Sequence, residues 1–157
     1  MNEQEPIGYS RFFRWLDGKC APVTESLETL SGYRIDDDRT PMIERASLAW
    51  TTPVDRLSCE QARLLISQKM GLEWLAVPVT TFVRAYPKAW VTFYSGDFSF
   101  AALRAFPQLL EVAPSDARAM MDADFDWLVD EMKNDPHRAR DVRDTITNAR
   151  TLARGHS

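Results

Sequence analysis

Cys59 has the position that suits a catalytic nucleophile, directly after a serine that can cap a helix. The positive end of a helix dipole lowers the pKa of a thiol placed there. A cysteine nucleophile also needs a base, and the two histidines offer only His137, in the first turn of the last expected helix, and His156, in the C-terminal tail. The plainer reading makes Cys59 a half-buried first-turn residue and pairs His137 with Asp141 one turn on. Asp36-Asp37-Asp38 offers the oxygens a hard divalent cation takes. Consecutive loop residues point in different directions, however, and no glycine or second acidic motif completes a site, so this run reads as a solvated turn. Gly96-Asp97 lacks the repeated glycines and the lysine of a phosphate loop. Gly-x-Ser-x-Gly, His-Glu-x-x-His and Walker sequences are absent, and two histidines with two cysteines leave little for a metal centre. The expectation is a protein that is not an enzyme and carries no cofactor or metal.

The strongest charged feature is acidic. Asp122, Asp126 and Asp130 recur at i, i+4 and i+8 in a stretch that reads as helix, with Asp124 and Glu131 flanking and Trp127 beside Asp126. Like charges four apart cost about 0.2–0.5 kcal/mol per pair in an isolated helix, and only Arg118 and Lys133 stand close enough in sequence to relieve them. Such a face is either simply solvated or a docking surface for a basic partner, because complementary charge speeds and selects association. Trp127 would be an aromatic anchor in that surface or a filler at the margin of the core.

These residues need a scaffold. The chain has 157 residues, 45% of them hydrophobic, with a formal net charge of −4. That is enough for one domain with its own core and argues against a direct nucleic-acid binder, which needs a basic field. The first residues are polar and acidic, unlike a secretory signal. The longest apolar stretch, 71–86, is interrupted by Glu73, Pro78 and Arg84, so no membrane span is expected. Cys20 and Cys59 read as reduced thiols, and the expected compartment is the cytoplasm. Charge falls in three blocks. Residues 1–57 and 111–157 each carry 7 basic and 10 acidic groups, whereas 58–110 carry 5 basic and 3 acidic. The middle block is also the most aromatic and is expected to be the core.

Ser58 with Gln61 three residues on is a capping box, followed by Ala62, Leu64, Leu65, Ile66 and Met70, with Gly71 as the left-handed residue ending that helix. Pro78 suits the first turn of a second helix carrying Val79, Phe82, Val83 and Tyr86, which Pro87 stops. The aromatic and β-branched run 89–94 is the strand candidate. A helix is expected from 98 to about 112, kinked or split by Pro107. Ser115 would cap the next, with Asp116 in its first turn and Met121, Phe125, Leu128, Val129 and Met132 as its buried stripe. Asp135-Pro136 opens a last helix to about 153, with Val142, Ile146, Ala149 and Ala153 as its seam. In the weakly patterned part, 1–57, residues 9–15 read as strand or short helix, 24–30 and 41–49 as short helices, the latter capped by Thr40. The sum is a mainly α fold, a single compact helical domain over 1–157 with a minor β element, a helical core at 58–135 and a terminal helix with a frayed tail at 136–157.

Residues 55–79, and within them Gln68-Lys69-Met70-Gly71-Leu72 leading into Leu75 and Pro78, resemble small bacterial immunity proteins of contact-dependent growth inhibition systems. Tyr94-Ser95-Gly96-Asp97 followed by a helix adds to the resemblance, which covers residues 55–127. It implies a cytoplasmic antidote that binds the C-terminal toxin domain of a sibling cell's exported effector, often a basic nuclease, and blocks its active site or substrate surface. Such families vary their interface with each toxin, so the resemblance assigns no binding residue. The assignment of Asp122, Asp124, Asp126, Trp127, Asp130 and Glu131 to toxin binding comes from charge alone, a carboxylate row being able to imitate a phosphate backbone. The rival reading is a non-catalytic regulatory or scaffold subunit of a larger complex. Neither reading specifies the oligomeric state.

Overall fold

Local sequence chemistry places several of the helix starts. In the computed structural model, which describes residues 5–35 and 40–155, ten helices follow one another. Helices α1 (Phe12–Trp15), α2 (Leu27–Ser31) and α3 (Pro41–Thr51) precede a 3-10 turn at Val54–Arg56. Then come α4 (Cys59–Ser67), α5 (Leu72–Ala85), α6 (Asp97–Arg104), α7 (Phe106–Val112), α8 (Pro114–Met120), α9 (Asp126–Glu131) and α10 (Pro136–Gly155). The Ser58 hydroxyl accepts from the Gln61 N–H at 3.1 Å while the Gln61 side chain accepts from the Ser58 N–H at 3.0 Å, completing the expected capping box. Ser26 and Thr40 cap α2 and α3 with a single bond each, their hydroxyls accepting from the N–H groups of Thr29 and Ile43 at 3.2 Å. Asp135 accepts from the Arg138 N–H at 3.2 Å to open α10.

Helix α5 is the central element, packed against α6, α7 and α8, while α4 joins α3 to α6 and α10 lies across α6, α7 and α9. Phe82 of α5 meets Phe98 of α6 at 4.5 Å between ring centroids and Phe12 of α1 at 5.4 Å. Leu57, Leu65, Leu75, Phe106 and Phe125 are likewise fully buried around this group. Val142, Ile146 and Ala149 form the buried seam of α10. The result is a compact all-helical domain in which, among the described residues, β structure is limited to isolated bridges such as Trp90–Ser95. Among the described residues, no helix is long and apolar enough to cross a membrane.

Several boundaries differ from the sequence reading. Helix α4 ends at Ser67, and the left-handed residue after it is Lys69 (φ 56°); Gly71 (φ 71°) instead starts α5. A side chain on Gly71 would meet Leu27 at 2.8 Å. Pro78 lies inside α5 rather than opening a helix. A mid-helix proline costs about 3 kcal/mol. Leu72, Leu75 and Ala76 on one side of it and Val79, Phe82 and Val83 on the other bury one continuous apolar stripe, which offsets that cost. Pro107 does split the 98–112 region, standing in the first turn of α7. Helix α8 begins at Pro114 after Ala113, so Ser115 is not its cap. The Asp36–Asp38 turn and His156 lie outside the described residues.

Candidate functional site

The segment expected to be a strand, 89–94, is a loop organised by one carboxylate. Asp97, the first residue of α6, is buried. Its Oδ1 accepts from the Val91 N–H at 3.0 Å, and its Oδ2 accepts from the N–H groups of Thr92 and Phe93 at 2.8 and 2.7 Å. Three successive N–H groups turned onto one side chain cannot alternate as a ladder requires, which is why this β-prone run is no strand. Ser95 and Ser99 hydroxyls donate to the Lys88 and Pro87 carbonyls, both at 2.6 Å, closing the loop. Its tip exposes the Phe93 ring at 67%.

Three arginines gather beside this loop. Arg63 of α4 donates to the Thr92 hydroxyl at 3.2 Å and lies 4.7 Å from the Phe93 ring centroid. Burial lowers its pKa from the ordinary guanidinium value, against the opposing charges of Asp97 and Glu60. Arg138, in the first turn of α10, stands 5.2 Å from the Tyr94 ring, and burial raises the Tyr94 phenol while the Arg138 charge acts the other way. Arg104, at the end of α6, lies 5.6 Å from the Phe100 ring and pairs with Asp141 of α10 at 3.3 Å. Asp141 is therefore engaged by Arg104, where the sequence reading gave it to His137. Arg63, Arg104 and Arg138, with Tyr94 and Asp97, line a cavity of about 290 Å³. A second cavity of about 410 Å³ adjoins it, sharing Arg63 and Phe93 and bounded further by Tyr9, Leu48 and Arg45. Sequence reasoning missed this constellation because its arginines are scattered along the chain. The positive balance of 58–110 within an acidic chain was its one visible trace.

The acidic residues are not on one helix. Helix α8 stops at Met120, Asp122 and Asp124 occupy the turn that follows, and Asp126, Trp127, Asp130 and Glu131 belong to α9. Asp124 Oδ1 accepts from the Asp126 N–H at 2.9 Å, a local turn that competes with helix continuation. Only Asp126 and Asp130 keep the i, i+4 relation. The expected single face of Asp122, Asp126 and Asp130 therefore becomes an acidic segment bent over a turn. All five carboxylates are exposed, and Arg150 of α10 reaches Asp126 at 3.2 Å and Asp124 at 3.7 Å. Trp127 is half-buried, its indole N–H donating to the Asp124 carbonyl at 2.8 Å and Lys88 lying 5.3 Å from its ring. It packs at the edge of the core, under the acidic turn.

Cys59 is fully buried rather than half-buried, with its sulfur 3.6 Å from the Ser10 hydroxyl. Desolvation pushes its thiol up to about 11, outweighing the Ser10 hydrogen bond and the backbone bond that lower it. It is a protonated core residue at neutral pH and supplies no thiolate. Cys20 and Cys59 are both free, and among the described residues no cluster of three metal-ligating side chains forms. In comparison with known proteins, the chain matches no family model, no curated protein and no solved structure.

Proposed function

We propose that this chain is an immunity protein that acts by binding, without catalysis or cofactor, neutralising a cognate toxin domain in the cytoplasm. The observation that carries the reading is the concentration of five exposed carboxylates, Asp122, Asp124, Asp126, Asp130 and Glu131, within one turn and one short helix, where Arg150 pairs with Asp124 and Asp126. A toxin that handles nucleic acid presents a positive surface, and this segment offers charge complementary to it. The resemblance of residues 55–127 to immunity proteins supports the same reading. The residues that carry the resemblance fix turns: Lys69 and Gly71 join α4 to α5, while Gly96 and Asp97 hold the loop before α6. Their role is to build the scaffold, leaving the outer surface to specify the toxin.

A protection assay tests the proposal. The toxin domain encoded immediately upstream is induced in cells with and without this protein. Survival with this protein, and death with a non-cognate antidote, is the expected result. Failure to rescue overturns it and leaves a regulatory or scaffold subunit as the reading to pursue.

A further inference from the structure

A chain of net charge −4 brings three arginines, from α4, α6 and α10, to the lining of one cavity. The carboxylate in that cavity, Asp97, uses both oxygens on three backbone N–H groups. Among the described residues, Asp141 pairs with Arg104 at an exposed position, and no carboxylate comes within ion-pair distance of Arg63 or Arg138. Each of the three guanidiniums lies over an aromatic ring: Arg63 over Phe93, Arg104 over Phe100 and Arg138 over Tyr94. A guanidinium whose face is covered by a ring still has N–H groups along its edge, the part that bonds oxyanions. One bidentate guanidinium suffices for a planar carboxylate, whereas three approaching from separate helices suit the three terminal oxygens of a tetrahedral dianion. The adjoining cavity is apolar in character and is bordered by exposed rings and chains, with Tyr9 at 95%, Phe93 at 67% and Leu48 at 62% exposure. Phe93 and Arg63 belong to both cavities, so one ligand can span them.

We propose that this paired cleft is a binding site for a phosphomonoester carried on a planar aromatic group, with the phosphate among Arg63, Arg104 and Arg138 and the ring against Phe93. The site is distinct from the acidic segment assigned to toxin binding, and its test requires no toxin, so the two proposals stand or fall separately.

Calorimetric titration of the whole chain with phenyl phosphate, inorganic phosphate and benzoate, at one ionic strength, is the experiment. Phenyl phosphate is expected to bind one to one, with inorganic phosphate competing for the same site about tenfold more weakly or worse. Arg138→Ala, at an exposed position in the first turn of α10, is expected to weaken phenyl phosphate about tenfold or more while the circular dichroism spectrum stays unchanged. Phe93→Ala is expected to reduce phenyl phosphate to the affinity of inorganic phosphate. No binding of either phosphate up to about 10 mM overturns the proposal. So does an Arg138→Ala protein that binds as well as the parent, and so does benzoate binding more tightly than phenyl phosphate, which assigns the cleft to carboxylates.

Discussion

The Trp127 indole covers Gly96 so closely that a methyl group on that glycine would lie 2.7 Å from the ring, with the Leu128 side chain at 2.8 Å. The contact joins the loop before α6 to α9, so the acidic segment and the arginine cleft share one support. Gly96 also has φ 92°, outside the range other residues adopt without strain. Gly96→Ala is expected to destabilise the protein by about 2 kcal/mol, from left-handed strain and from displacement of the ring. Urea denaturation measures it. Combining it with Trp127→Ala should cost less than the two single changes added together, because removing the indole makes room for the methyl. Full additivity would show that the ring does not press on this position.

Asp97 is the second point of leverage. Asp97→Ala leaves the N–H groups of Val91, Thr92 and Phe93 without their acceptor, which is expected to cost about 3 kcal/mol or more. The loss should appear as a lower midpoint in chemical denaturation, together with faster amide hydrogen exchange at residues 91–93. Unchanged exchange there would mean that the loop holds its shape without the carboxylate.

Cys59 predicts a particular alkaline weakness. Its folded pKa is raised, so the folded chain keeps a proton that the unfolded chain gives up near the ordinary thiol value of 9.0. The stabilisation is complete below about pH 9 and is lost as pH rises toward 11. Two units correspond to about 3 kcal/mol at most. Cys59→Ala should flatten that part of the stability–pH curve relative to the parent. A curve that stays parallel to the parent's between pH 9 and 11 would remove the thiol as its cause.

Under the proposed antidote role, reversing Asp122, Asp126 and Asp130 to Lys is expected to weaken toxin binding at least tenfold with the melting temperature nearly unchanged, because all three carboxylates are exposed. Calorimetry against the toxin domain checks the affinity and thermal unfolding checks the fold. Equal affinity would eliminate the acidic segment as the interface.

The fold class and the starts of α3, α4 and α10 were legible because caps and prolines act over three or four residues. Ser58 with Gln61, Thr40 with Pro41 and Asp135 with Pro136 satisfy the first orphan N–H groups of their helices whatever the rest of the chain does. The break between α8 and α9 was illegible for a related reason. Ala117, Met120, Phe125, Leu128 and Met132 are all buried and continue at helical spacing across it, so periodicity reads as one long helix with three aspartates in a row. The Asp124 turn decides otherwise.

The sequence by itself determined a helical domain, its capped starts, its buried seam on α10 and its excess of carboxylates near residue 126. Tertiary structure alone decided that Pro78 stays inside a helix, since only a stripe buried on both sides of the proline offsets its cost. The β-prone run 89–94 became a loop through a short-range contact that periodicity does not register, the Asp97 carboxylate at the start of α6 collecting the N–H groups of Val91, Thr92 and Phe93. The meeting of Arg63, Arg104 and Arg138 was a tertiary outcome: each is an ordinary helix residue in sequence, and only the packing of α4, α6 and α10 gives them one cavity.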